Sequence, residues 1–374
     1  MKNLTWVELN RDAYNFNMAN FRRLAGKDKK IMAVVKSNAY GHGLHETALL
    51  AQDCGNVDML GVYSLREAKL LYGKGVKLPV FIMGYVLGEE FIDVARHDFS
   101  VCVSSLEQLR MIDEVIGTKN LKIHLKFDTG LRRLGFYPEE IPELMAFLGE
   151  RPNLKVEGIF SHFANIEDTI SHEFAKSQRD LFERMCEPLM DRGPIRHIAC
   201  SAAGLLFKDT YFEMIRAGIA MYGLWPSKET LITSLKSNMI SELRPVLSWK
   251  TRVAQTKPVS PGDTVGYGRS YKVTRPGRIA IIPVGYNDGY DRKYSNSAKV
   301  IIKGKEAPVI GRICMNMSIV DVSHIDGVKI EDEVILIGSE GEASVTADFL
   351  ADISGTINYE VTTRIDPSIP RIIV

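Results

Sequence analysis

Between residues 31 and 222, eight strand-length apolar runs alternate with segments of helical spacing. The runs are 31–36 (IMAVVK), 59–64 (MLGVYS), 79–84 (PVFIMG), 99–105 (FSVCVSS), 122–128 (KIHLKFD), 156–161 (VEGIFS), 195–200 (IRHIAC) and 214–222 (MIRAGIAMY). Continuous apolar runs rich in β-branched residues are the pattern of strands covered on both faces of a parallel sheet. The segments between them, such as SLREAKLLYG and SLEQLRMIDEVIG, carry apolar residues at helical spacing and a serine in the capping position. Eight such units over roughly 225 residues match a (β/α)8 barrel. An open, doubly wound sheet is the other arrangement of the same pattern. The absence of GxGxxG after the first run counts against its dinucleotide-binding form.

Beyond about Ser237 helical spacing fades. Short alternating runs with turn signals take over, among them WKTRVAQTKPV, the turn at Pro261–Asp263, GRIAIIPVGY, AKVIIKG and DEVILIG. The expected organisation is therefore an N-terminal (β/α)8 barrel over 1–238 and a C-terminal β-rich domain over 239–374. The stretch LTWVELN at 4–10 alternates like a half-buried strand. It has no place ahead of the first barrel strand, so residues 1–10 are expected to pair with the C-terminal domain. Asn10 or Asp12 is expected to cap the helix that follows.

A net charge of +1 gives no electrostatic footprint for nucleic acid. The five cysteines (54, 102, 186, 200 and 314) are scattered, with neither CxxC pairs nor zinc spacing. They read as reduced thiols, and no metal is expected. No apolar run is long enough to span a membrane, and the N-terminus lacks the apolar core of a signal peptide. The expected location is the cytoplasm, either as a free chain or as the cytoplasmic domain of a membrane protein.

Parallel barrels build their sites from residues at the C-terminal ends of different strands. Lys36 closes the first run. A lysine there is either a desolvated, nucleophilic amine suited to Schiff-base chemistry or a cation pairing a carboxylate. Lys126 and Asp128, Ser161 and His162, Cys200 and Ser201, and Arg216 with Gly218 fall at the ends of other runs. Ser201, Gly218 and Ile219 follow the last two, the usual place of a barrel phosphate site. A Schiff-base lysine together with a phosphate site points to pyridoxal 5′-phosphate (PLP).

The blocks AVVKSNAYGHG, KFDTGLRRLGF, SHFA, RAGIAMYG, VGYGRSY, PVGYNDGY, GRICMNMS and NYE follow one another in this order. On these blocks the chain resembles the alanine racemase family, the barrel-type PLP racemases, over essentially its whole length. The resemblance implies that Lys36 carries the cofactor and is one catalytic base, and that Tyr267, reaching the barrel of a partner subunit, is the other. It further implies that Arg216 faces the pyridine nitrogen with His162 behind it. Arg133 is implied to contact the cofactor's phenolic oxygen and the substrate carboxylate. Lys126 matches a lysine that is often carbamylated. Tyr40, Ser201, Gly218, Ile219 and Tyr359 match phosphate ligands; Met315 lines the substrate pocket; Tyr286 and Arg312 match positions on the entry path. A homodimer with shared sites is implied, acting on a small amino acid and supplying D-amino acids for peptidoglycan.

Departures from the family pattern are Ser37 for Ala, Ser161 for Thr, Cys200 for Asn and Asn316 for Asp. Asn316, beside Met315, both donates and accepts hydrogen bonds, so it suits a substrate hydroxyl. Two substrate readings stay open: L-alanine alone, or L-serine as well, as in the racemase domains of vancomycin-resistance serine/alanine racemases. A barrel-type PLP decarboxylase and a non-catalytic PLP-binding barrel are the alternatives of other classes. The second of these lacks a β domain with a Tyr267.

Overall fold

A computed structural model describes residues 3–168 and 170–374. Met1 and Lys2, the start of the segment expected to join the second domain, lie outside the described residues. The chain divides into two compact units. One comprises Asp12–Ser37 and Thr47–Arg244; the other comprises the residues up to Arg11, Asn38–Glu46 and Pro245–Val374.

The first unit is an eight-stranded parallel sheet. Its strands are Lys30–Val34, Met59–Val62, Val80–Ile82, Ser100–Val103, Leu121–Lys126, Leu154–Phe160, Ile195–His197 and Met214–Ala217. Each pairs with the next in sequence as far as Ile195–His197, and Met214–Ala217 pairs with Lys30–Val34. Two backbone hydrogen bonds draw the remaining edges together: Glu213 N–H to Arg196 O (3.2 Å) and Arg216 N–H to Ala199 O (3.0 Å). The ring is a (β/α)8 barrel. All eight strands fall on the apolar runs expected to form them; Met59–Val62, Val80–Ile82 and Ser100–Val103 bury every residue, as a sheet covered on both faces requires, whereas Ile195–His197 buries only His197. Inside the ring Met32, Met59, Phe81, Cys102, Phe160 and Met214 form one apolar cluster. Truncating the fully buried Phe81 to Ala would cost about 3–5 kcal/mol. Helix Leu65–Gly73 starts in a capping box of Ser64 and Glu67, and helix Leu106–Ile116 starts on Ser105.

Two stretches differ from expectation. The eighth strand stops at Ala217 instead of running to 222, because Gly218 leaves the extended region and Ile219–Tyr222 winds into a 3-10 turn. The connection after the first strand is a short helical stretch, Lys36–Tyr40, described with the site.

In the second unit the main sheet runs, edge to edge, Lys305–Pro308, Lys299–Ile302, Glu333–Glu340, Leu247–Arg252, Trp6–Leu9 and Arg371–Ile373. Trp6–Leu9 lies antiparallel to Leu247–Arg252 (Val7 opposite Trp249) and parallel to Arg371–Ile373. Leu247–Arg252 alternates buried and half-buried residues, the period-two pattern of a sheet with one covered face. A three-stranded sheet joins Gln255–Val259, Gly277–Ile282 and Ser318–Asp321. The units part at Arg244/Pro245 rather than at 238/239. Hydrogen bonds tie the intervening residues to the first unit: the Asn17 amide brackets Arg244 from both sides (2.8 and 2.9 Å), and Ser234 Oγ does the same for Ile240 (2.8 and 3.2 Å). Among the described residues no helix is long and apolar enough to cross a membrane.

Candidate active site

Lys36 lies two residues beyond Val34, the last residue of the first barrel strand, and the backbone that follows it is unusual. Ser37, Asn38, Ala39 and Tyr40 all have left-handed backbones, with φ of 55°, 53°, 52° and 54°. None is glycine, and a left-handed residue costs roughly 1–2 kcal/mol. Such strain persists only where its surroundings over-determine it. Here Asn38 is the hub: its carbonyl accepts from Gly41 N–H (3.0 Å) and Gly43 N–H (2.9 Å), and its side-chain oxygen accepts from Leu44 N–H (2.9 Å). The His42 ring turns Nδ1 toward the carbonyls of Ala39 (3.1 Å) and Tyr40 (3.2 Å), and burial drops its pKa to about 3, so it stays neutral. At the other end Ser37 N–H donates to Glu67 Oε1 (2.7 Å). The same carboxylate takes Tyr63 N–H (2.7 Å) on Oε2, along with the Ser64 N–H (3.4 Å) that closes the capping box. The glutamate that starts a helix thus also clamps the peptide after Lys36. The S-x-x-E signal at 64–67 was legible; its second duty was not.

Burial holds the Lys36 amine below its ordinary pKa of 10.5. The Arg133 and Arg216 guanidinium groups push the same way, and Glu67 opposes them. His162 lies within the field of the same cations: burial first, then Arg216, Arg133, Lys126 and Lys36, keep it neutral. Lys126, only 6% exposed, is pushed down to about 8, chiefly by burial. Its ammonium sits over the Phe160 ring at 5.2 Å. Lys36, Lys126, Arg133, His162 and Arg216 therefore form one electrostatic cluster at the strand ends, with an excess of positive charge.

Arg216 is 5% exposed and heavily engaged. One terminal nitrogen donates to His197 O (2.6 Å) and to His197 Nδ1 (3.0 Å); the other donates to Ser161 O (2.8 Å), Ile198 O (3.1 Å) and His162 Nδ1 (3.1 Å). Arg133 is exposed, on a loop that the Asp128 carboxylate organises by accepting from Gly130 N–H (2.8 Å) and Arg132 N–H (3.1 Å). Asp128 thus acts on the loop backbone. Ser201 opens the helix Ser201–Leu206, and its hydroxyl oxygen accepts from Gly218 N–H (2.8 Å) and Ala220 N–H (3.3 Å). Ser201 is thus brought together with Gly218 and Ala220, the residues on either side of Ile219; Ala220 was not foreseen.

The second unit gathers its own set. Tyr40 and Tyr359 face one another, ring centroids 6.0 Å apart. Tyr267 stands 69% exposed in a turn between Gly266 (φ 75°) and Gly268 (φ 69°). Both glycines are required: a Cβ at Gly266 would meet Arg312 N at 2.8 Å, and one at Gly268 would meet Arg312 Nη1 at 2.8 Å. A neighbouring loop is pinned by Tyr286 N–H to Cys314 O (3.1 Å) and Asn287 N–H to Met315 O (2.9 Å). The glycines flanking Tyr267 thus pack close against Arg312, and the backbone of Tyr286 is tied to the loop that carries Met315 and Asn316. All five side chains are exposed.

Residues 9–226 match the family model of the alanine racemase N-terminal domain, and residues 246–373 that of the C-terminal domain. The chain belongs to the alanine racemase family. It is 38% identical to the alanine racemase of Leptospira interrogans, covering 99% of this chain and 96% of that one. It is 37% identical to alanine racemase 1 of Clostridium acetobutylicum, covering 99% and 95%. Among solved structures, the alanine racemase of Clostridium difficile 630 superposes with a TM-score of 0.92 at 36% identity, covering all of this chain and 96% of that one. A Bacillus anthracis alanine racemase with bound L-Ala-P gives 0.91 at 32% identity, with 100% and 96% covered. This racemase works with PLP, the cofactor of its family. The residues described fit that group. A desolvated amine, a surplus of cations for a phosphorylated, phenolic ligand, and backbone N–H groups converging on a serine hydroxyl are its complement. Among the described residues no cluster of His, Cys, Asp or Glu is suited to a metal ion.

Proposed function

We propose that the chain interconverts L- and D-alanine by a two-base mechanism in which Lys36 and Tyr267 of a second copy act on opposite faces of the substrate. L-Serine is a second substrate, and the product D-amino acids serve peptidoglycan. PLP supplies an electron-withdrawing ring that acidifies the Cα–H. Inversion then requires a proton to leave one face and another to arrive on the other, which one fixed base does poorly. Lys36 is suited to the first face because burial and two guanidinium groups favour its neutral form. Arg216 and His162 are assigned to the cofactor ring, Arg133 to the substrate carboxylate, and Ser201, Gly218 and Ile219 to the phosphate.

The observation that carries the reading is Tyr267: a phenol 69% exposed, on a turn whose two flanking glycines let it pack close against Arg312. A catalytic phenol needs a cationic neighbour and exclusion from water. A second copy covering this face supplies the exclusion from water. Exposed Tyr286, Met315 and Met317 on the same unit are further apolar surface for that copy to cover.

The reading is tested by following D-alanine and D-serine formation from the L-isomers on PLP-loaded protein. Turnover of both, lost in Lys36→Ala, is expected; no racemisation of either overturns it. Asn316→Asp should lower the serine-to-alanine rate ratio about tenfold, since a hydroxyl-recognising amide is exchanged for an acceptor-only group. An unchanged ratio removes Asn316 from the account.

A further inference from the structure

The barrel interior holds a polar chain that the chemistry above does not use. His197 Nε2 lies 2.9 Å from His124 Nδ1, and His124 Nε2 lies 3.1 Å from Glu157 Oε2. Ser100 Oγ donates to the same carboxylate oxygen. With the Arg216–His197 contact (3.0 Å), this makes a continuous path from the guanidinium at one strand end to a carboxylate on the strand Leu154–Phe160. Both imidazoles are fully buried.

The direction of every proton on this path follows from its first member. Arginine has donors and no acceptor. His197 Nδ1 must therefore be bare, so the neutral ring carries its proton on Nε2 and donates to His124. His124 Nδ1 must be bare in turn, so its proton sits on Nε2 and is donated to Glu157. The carboxylate is the only group on the path that accepts without passing a proton on.

Two features of the backbone are made for this path. The strands Leu121–Lys126 and Leu154–Phe160 pair Ile123 with Val156 and then His124 with Gly158, so Glu157 is the extra residue of a bulge. Bulges re-aim side chains. Gly158 is obligatory beside it: a Cβ there would lie 2.4 Å from His124 Nδ1, the atom that receives the His197 proton. The rings are held flat, His124 stacked on Phe81 (4.2 Å, 24°) and His197 on Phe160 (5.0 Å, 2°).

We propose that Glu157 is a positioning residue for Arg216. It ends a one-way relay, Arg216 to His197 to His124 to Glu157, that fixes both imidazoles as neutral Nε2–H tautomers and places a negative charge at the far end of the path from the buried guanidinium. The functional part of this proposal rests on the reading of Arg216 as the residue facing the cofactor ring. The protonation states agree with it. Burial raises the Glu157 carboxyl, but the hydrogen bonds from His124 and Ser100 outweigh it and hold the group at about 2. Burial, with Arg216 beside them, keeps His197 well below the ordinary imidazole range and lowers His124 against the pull of Glu157.

The test begins with ring-nitrogen NMR of PLP-loaded protein carrying isotope-labelled histidine, the two signals assigned through His124→Gln and His197→Gln. Both rings are expected neutral and protonated on Nε2. An imidazolium, or an Nδ1–H form at either ring, overturns the relay. Glu157→Gln keeps the size and a carbonyl acceptor but removes the charge. Turnover is expected to fall about tenfold with KM within about twofold, accompanied by a shift in the visible absorbance of bound PLP. Wild-type turnover and absorbance in that variant overturn the positioning role. The NMR outcome does not depend on racemisation, whereas the functional reading stands or falls with Lys36→Ala, so the two failures are distinct.

Discussion

Lys126, buried, and Glu157, half-buried, are charges whose effects on stability run in opposite directions. Lys126 has a folded pKa of about 8 against an ordinary 10.5. Between those values the unfolded chain binds the extra proton, so stability rises with pH. The cost of burying the ammonium is fully present below about pH 8 and is relieved as pH climbs, by up to about 3 kcal/mol. Urea unfolding between those limits should show the rise in carbonate-free protein and its absence in Lys126→Met; equal slopes would refute the assignment. The same lowered pKa leaves neutral amine available to add CO2. Labelled bicarbonate should therefore give a carbamate carbon signal that Lys126→Met lacks. Glu157 is held at about 2 against 4.5. Its contribution is present above the unfolded value and lost as pH falls from about 4.5 toward 2. Glu157→Gln should then lose about 1–3 kcal/mol less than the parent over that acid range. An identical acid profile would mean that the carboxylate is not stabilised in the fold.

At the scale of elements, the decisive one is the left-handed turn after Lys36. Glu67 ties its first peptide to a helix N-terminus, and its charge raises the Lys36 pKa against burial. Glu67→Ala should cost about 1–2 kcal/mol through the lost cap and clamp. It should also lower the Lys36 pKa further, read as a shift to lower pH in the amine's labelling profile in cofactor-free protein. A shift to higher pH would contradict the electrostatics. The eight strands were legible because apolar, β-branched runs leave a parallel sheet few alternatives, and the capping serines because they precede apolar spacing. Lys36, Ser161, His162, Ser201 and Arg216 were legible as strand-end residues. The left-handed turn was not: Ser37 to Tyr40 contain no glycine, so local preference points away from the conformation that surrounding hydrogen bonds impose. Nor was the bulge at Glu157, since one extra residue leaves the apolar pattern of VEGIF unchanged. His124 and His197 read as ordinary strand residues because their partner is each other, 73 positions apart.

At the scale of the whole molecule, the two units hold complementary halves of the proposed chemistry. The barrel unit carries Lys36 and the cation cluster; the β-rich unit carries Tyr267 on an exposed, glycine-framed turn. On the proposed reading a second copy shields the phenol, which is 69% exposed within its own chain. Activity should therefore fall on dilution through the dimer dissociation range. The most direct measurement is complementation. Lys36→Ala and Tyr267→Phe, each inactive alone, are mixed, dissociated and allowed to reassociate. If each site takes Lys36 from one copy and Tyr267 from the other, half of the dimers are mixed and each mixed dimer has one intact site, so racemisation should return to about a quarter of wild type. Reassociated mixtures that stay inactive would contradict the shared two-base site.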